Sequence, residues 1–366
     1  MKSGIQTFNL GIKELLIFIN CTEDENELIG ELRNSNSISA REKELLGKIA
    51  QAHINRKRYI YSVAIISLYG LLERLIDTLI EAYVRRLADS VNEYQKLPEA
   101  IRKSHTPLSI DLLKGILDDR YWTNEKHEDV IANLHSCVTN ATPFRINSSA
   151  FIIHRGNITL LKITDFLSAI GINNHLRRAS STISMLEYFA ETQPGRDISI
   201  ITDKDIETLF KPIDGLVERR NQISHGVLSI DQIESTELLK ERCRFVSAYS
   251  KALYEILIQD FLKYRIKLGD IQSLGKPIAV HGNSIVCFES KNCKIAVGNL
   301  IVADRNKSIE PVRYSKIDEL QIDNQSYPEI LISESTNFGA KVSFKASENY
   351  EYYVLTEEAI YNEIII

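Results

Sequence analysis

The chain has 366 residues, 44% hydrophobic and 25% charged, which is the balance of a folded globular protein with room for two domains rather than of a disordered chain. A net charge of -5 speaks against a general nucleic-acid coat protein, although it leaves room for an enzyme with a local basic patch. The five cysteines, Cys21, Cys137, Cys243, Cys287 and Cys293, are scattered and form no CxxC pair, which excludes a zinc-ribbon pattern or a disulfide framework.

No uninterrupted apolar run approaches the roughly 20 residues that span a bilayer. The opening MKSGIQTFNLGIKELLIFIN is broken by Lys13 and Glu14 and lacks a small-residue cleavage site. It therefore predicts a first helix rather than a leader, and a cytoplasmic location. Short helices are predicted near 10–20, 40–57, 108–118, 125–138, 157–170 and 176–191, with Thr106-Pro107 and Gln193-Pro194-Gly195 as turns between them. The densest pattern runs from Tyr59 to Leu87. Val63, Ile66, Tyr69, Leu72, Ile76, Leu79 and Tyr83 make it a central, largely buried helix. A second long helix is predicted over Ser235–Leu268, packed beside the first. After Leu268 the period changes. SIVCFE, CKIAVG, EILIS, KVSFKA and YEYYVL are short, rich in Val, Ile, Phe and Tyr, and separated by turn residues, which predicts strands. The expected fold class is mainly α, with a helical domain over 1–268 and a small all-β barrel or sandwich over 269–366.

The segment that carries chemistry is PIDGLVERRNQISHG, residues 212–226. Pro212 suits the first turn of a helix and Gly226 the position just past its end. The helix either begins at Pro212 or continues, kinked there, from one that starts near Thr202. At about 100° per residue, Ile206, Leu209, Phe210, Ile213 and Val217 form an apolar stripe. Asp214, Glu218, Asn221 and His225 follow at spacings of 4, 3 and 4 as a polar stripe beside it. Arg220 lies about 140° from His225 on an ideal helix. A single copy of this helix therefore does not stack the two side chains on one another.

Arg220-Asn221-Gln222-Ile223-Ser224-His225 resembles the R-x4–6-H motif of the HEPN superfamily of ribonucleases, in the form with Asn directly after Arg. The similarity extends to the helix containing Glu73 (GLLERLIDTLIE). It also covers GNITLLKITDFLSAIGI, residues 156–172, which resembles a segment of the larger bacterial branch of RiboL-PSP type. The resemblance spans about residues 40–265 and leaves out the β region. It implies a helical bundle, and a homodimer in which two motifs face one cleft. It further implies metal-independent endoribonuclease activity on RNA, with 2′,3′-cyclic phosphate and 5′-OH products, and a role as a toxin or phage-defence effector restrained by an antitoxin or regulatory partner.

The residue chemistry is consistent with that. RNA carries its own nucleophile, the 2′-OH. Histidine, with an ordinary pKa of about 6.5, handles protons near neutrality, and arginine presents a permanently charged planar fork to phosphate oxygens. Arg220, His225 and Asn221 are thus the candidate catalytic residues, with Glu73, Asp214 and Glu218 as accessory candidates. Glu73 either contacts the site or is an ordinary solvated or paired helix glutamate. Asp214 and Glu218 either steer the histidine or form a wet helix face. His154-Arg155-Gly156 is a phosphate-binding turn or a plain one, and the pairs Arg85-Arg86 and Arg177-Arg178 line an RNA groove or are simply solvated. His127 and His135 lack metal-ligand spacing, and no GxxxxGK[ST] loop or GxSxG elbow is present, so no metal, cofactor or ATP is expected. The alternative reading is a non-catalytic HEPN module that binds a protein partner or a nucleic acid.

Overall fold

A computed structural model of the chain describes residues 1–35, 39–118, 125–153, 156–195, 202–305 and 311–356. It divides into two compact units, Gly4–Tyr254, and Met1–Ser3 together with Glu255–Ile366.

The first unit is helical. It contains most of α1 (Lys2–Asn34), then α2 (Ala40–Asp89), α3 (Glu99–Leu117), α4 (His127–Val138), α5 (Leu160–Ala169), α6 (His175–Ser180), α7 (Ile183–Thr192), α8 (Asp203–Phe210) and α9 (Pro212–Ser224), and the first half of α10 (Thr236–Leu268). The two helices predicted at 40–57 and 59–87 are one continuous element. Ser39 starts it with a capping box, its hydroxyl accepting from the Glu42 amide while the Glu42 carboxylate accepts from the Ser39 amide at 2.6 Å. Tyr61, Ile65, Leu68, Tyr69, Leu72, Ile76, Leu79 and Tyr83 are all buried, whereas Val63 and Ile66 face outward at about half exposure. Spacing alone overstated the width of the buried stripe there.

Other predicted boundaries moved, and the helix expected near 10–20 runs over Lys2–Asn34. Pro107 does not form a turn but lies inside α3. Its ring sacrifices only the hydrogen bond to the Lys103 carbonyl, and burial of Ile101, His105, Ser109 and Leu112 on both sides carries the helix through. The single helix expected over 176–191 is instead α6 and α7. The Thr182 hydroxyl turns back to the Ala179 carbonyl at 2.7 Å, offering the backbone an alternative to a further helical turn. His154 and Arg155 lie outside the described residues.

The α8–α9 pair follows the kinked form. Thr202 caps α8 by accepting from the Asp205 amide, and Lys211 keeps a helical conformation before Pro212 opens α9. The stripe Ile206, Leu209, Phe210, Ile213 and Val217 is buried throughout. Phe210 anchors an aromatic cluster with Phe189, Phe245 and Tyr249, at centroid distances of 5.3 to 6.5 Å. α9 packs on α2.

Among the described residues the second unit carries the rest of α10 and the strands β1 (Gln272–Gly275), β2 (Ala279–His281), β3 (Ile285–Ser290), β4 (Cys293–Ala296), β5 (Leu300–Asp304), β6 (Arg313–Ile322), β7 (Gln325–Tyr327), β8 (Glu329–Ile332), β9 (Thr336–Val342) and β10 (Glu351–Leu355). The main sheet is antiparallel in the order β1-β10-β5-β6-β9-β3-β2 with β7 added on β6. It curls into a half-barrel rather than closing, and β4 and β8 form a separate pair. Val286, Phe288, Ile301, Leu320, Ala340 and Tyr352 fill its concave core. The β6–β7 hairpin turns on Asp323 and Asn324, both left-handed, as a two-residue turn requires.

Candidate functional site

α9 ends in a glycine-capped turn that fixes the exit of the chain. The Gly226 amide donates to the Ile223 carbonyl at 3.1 Å and the Val227 amide to the Gln222 carbonyl at 3.0 Å, with Gly226 at φ +68°. That is the Schellman arrangement, and it needs a residue that tolerates the left-handed region. His225 is the capping residue itself, its amide bonded to the Asn221 carbonyl at 3.0 Å and its ring exposed. Among the described residues the imidazole makes no hydrogen bond, so its two nitrogens are open to a ligand.

His225 lines a shallow groove of about 510 Å³ together with Thr159, Asp214, Val217, Glu218, Asn221, Gln222 and Val227. The predicted polar stripe Asp214, Glu218, Asn221, His225 is therefore brought together on one wall. Glu218 is exposed and accepts from Gln222 at 3.4 Å. Asp214 is engaged: its Oδ1 accepts from the Leu160 amide at 2.9 Å, tying α9 to the first turn of α5.

Arg220 does not line this groove. It is half-buried, with its guanidinium 5.4 Å from the centroid of the Tyr69 ring on α2 and one N–H reaching Asn221 Oδ1 at 3.3 Å. Asn221 thus joins the arginine to the groove by touching both. Its Oδ1 also accepts from Asn157 Nδ2 at 2.7 Å. With two donors on that oxygen, the Asn221 side chain serves Arg220 and the 157 loop, and among the described residues it does not bond the His225 imidazole.

Tyr69 is the residue that the sequence reading treated only as helix core. Its hydroxyl accepts from the Ile158 amide at 2.9 Å and donates to Glu73 Oε1 at 3.0 Å. Burial pushes its pKa up to about 12, so it remains a neutral donor. Glu73 therefore stands one residue removed from Arg220, acting through Tyr69 rather than by contact. One turn further along α2, burial and then the carboxylates of Glu73 and Glu81 raise Asp77 to about 7. Asn157 and Thr159 were also missed. The signal was there for Thr159, which caps α5 by accepting from the Lys162 amide at 3.2 Å directly before the apolar run LLKITDFL.

A second brace holds the opposite side of α9. Glu234 receives Arg242 through two bonds of 2.6 and 2.5 Å and Arg219 at 3.5 Å. The bond to Arg242 helps hold the carboxylate below its usual range despite burial. Arg219 is thereby a structural cation, whereas Arg220 beside it lies over the aromatic face and bonds Asn221. Of the basic pairs, Arg85 is engaged by Glu81. Among the described residues no cluster of His, Cys, Asp and Glu could hold a metal, and no helix is long and apolar enough to cross a membrane.

Compared with protein-family models, residues 22–259 match the family described as RiboL-PSP-HEPN. No curated protein and no solved structure matches the chain.

Proposed function

Since the chain belongs to the RiboL-PSP-HEPN family, whose wider HEPN group is generally associated with ribonucleases, we propose that it is a metal-independent endoribonuclease with Arg220 and His225 as its catalytic pair. The observation that carries this reading is the exposed imidazole at the glycine-capped end of α9, in a groove that Asn221 connects to an arginine. The 2′-OH of the substrate attacks the adjacent phosphorus as His225 takes its proton. The P–O5′ bond breaks, and the 5′ oxygen leaves with a proton from water or from the His225 of a twin subunit. This yields a 2′,3′-cyclic phosphate and a 5′-OH. Arg220 neutralises charge on the phosphoryl oxygens. DNA, lacking the 2′-OH, is not cut. A homodimer, a cytoplasmic setting and a role as a toxin or phage-defence effector held by an antitoxin belong to the same proposal.

The test is incubation of the protein with total RNA in EDTA, beside His225→Ala and Arg220→Ala. Cleavage that persists under chelation and disappears in both variants is expected. Equal activity in the variants removes the assignment. A second reading, a non-catalytic module that binds nucleic acid or a protein, is favoured by one feature: Arg220 lies against Tyr69 rather than in the groove with His225. Complete inactivity of the wild type towards RNA, with binding retained, selects it.

A further inference from the structure

A second cavity, of about 550 Å³, lies on the other side of Asp214 from the His225 groove, and both are lined by that residue. The first turn of α5 separates the two. Thr159 faces the groove and Leu160 the cavity, and the Leu160 amide holds the Asp214 carboxylate in place between them at 2.9 Å.

The walls of this cavity differ in kind from those of the groove. Leu161, Leu176 and Ile206 give it an apolar side, with Leu161 exposed at 71%. Lys211 stands at its edge, and among the described residues no ion pair engages its ammonium. Glu207, also at the edge, offers a hydrogen-bond acceptor. His175, 2% exposed, closes the floor.

Resting on the ribonuclease reading above, we infer that this cavity holds one unpaired nucleotide of the RNA, next to the phosphodiester bound in the His225 groove. An apolar face stacks against a base, the Lys211 ammonium meets a flanking phosphate, and Glu207 accepts from a base-edge amino group. Asp214 acts here as a positioning residue, fixing the wall that the strand must cross. Such a cavity selects single-stranded RNA, since a base within a duplex is unable to leave its stack without unpairing.

The test uses the full chain carrying His225→Ala, so that binding is read without cleavage. Adenosine and uridine 3′-monophosphates are titrated by ligand-observed NMR, and a single-stranded oligoribonucleotide by fluorescence anisotropy. Leu161→Glu and Lys211→Glu alter exposed residues, so folding survives and is checked by circular dichroism. Each is expected to weaken mononucleotide binding at least ten-fold and oligonucleotide binding five- to ten-fold, while Leu10→Glu, exposed on α1 and outside the cavity, changes neither. Mononucleotides that fail to bind, or that bind both variants as well as the parent, overturn the inference. Mononucleotide binding that depends on the cavity while oligonucleotide binding does not would mark a site for free nucleotides, and overturns it equally. Absence of RNA cleavage by the wild-type protein alongside cavity-dependent oligonucleotide binding would sink the nuclease reading and leave the cavity assignment standing.

Discussion

Replacing Tyr69 by phenylalanine removes one oxygen atom that makes two bonds, and the consequence should be felt on a different segment of the chain. The hydroxyl accepts from the Ile158 amide at 2.9 Å and donates to Glu73 at 3.0 Å. Ile158 is fully buried, so water does not reach the amide once the oxygen is gone. Leaving a buried N–H without an acceptor costs about 1–3 kcal/mol. That amount comes off the free energy of local opening of the segment before α5, which corresponds to roughly 5- to 150-fold faster exchange of the Ile158 amide. The phenyl ring remains, so the seat beneath Arg220 is kept, whereas Tyr69→Leu removes both oxygen and ring. Hydrogen exchange of peptides covering residues 156–161 measures the effect directly and does not require the two units to unfold as one. The same segment carries Asn157, bonded to Asn221, and Leu160, bonded to Asp214. RNA cleavage should therefore fall in Tyr69→Phe although Tyr69 lines no part of the groove. Unchanged protection at Ile158 in the phenylalanine variant would refute the reasoning, because the loop would then be held by something other than that hydroxyl.

His105 and His175 are both pushed down to about 4 by burial, with Arg178 adding to the effect on His175. In the unfolded chain each titrates near its ordinary value of about 6.5, so below that pH the unfolded state binds protons that the folded state refuses. Stability fully present at pH 7 is lost as pH falls, by about 2–3 kcal/mol per residue at pH 4.5. Asp77, raised to about 7, works in the opposite sense between about pH 4 and pH 7, so the decisive measurement is the imidazole resonances themselves. Neither should move above pH 5, and a midpoint near 6.5 for either would overturn its assignment as a buried neutral histidine. Gly226→Ala should lower stability by about 1 kcal/mol, since alanine resists φ +68°, and should reduce RNA cleavage by displacing His225. Gly226→Asn should retain more of both, and equal melting and activity for alanine, asparagine and wild type would show that the turn does not set the histidine.

Much of the helical unit is legible in the chain because its signals are local. Pro212 and Gly226 bracket α9, and the stripe from Ile206 to Val217 is buried as its spacing predicts. The polar stripe from Asp214 to His225 is legible for the same reason, since residues three and four apart share a face whatever packs against them. What escapes the sequence depends on partners distant along it. Tyr69 has the same helical spacing whether its hydroxyl is idle or bonded to an amide 89 positions away. Asn157 meets Asn221 across 64 positions. Pro107 misled for a related reason: the rule that proline ends helices is local, and burial on both sides of it is not. In the β unit the strand-forming segments were readable from composition, but the order that sets β10 between β1 and β5 is a property of the closing chain.

The same division between local and distant explains the awkward geometry of the motif. Helix spacing sends Arg220 about 140° away from His225, and the rest of the unit does not bend it back. The guanidinium is instead received by α2, over Tyr69, and α9 contributes the Asn221 oxygen. The histidine is set by a turn at the end of α9, and the arginine by the helix beneath it. A change at Tyr69 therefore moves the seat of the cation and, through the 156–161 segment, the groove wall, whereas a change at Gly226 moves the imidazole. If both groups serve one phosphodiester, each alteration alone should abolish most of the activity, and the two together should do little further harm, because the second removes a partner already made useless by the first. Independent, additive losses in a Tyr69→Leu and Gly226→Ala cycle would mean that the two side chains do not act on one reacting group.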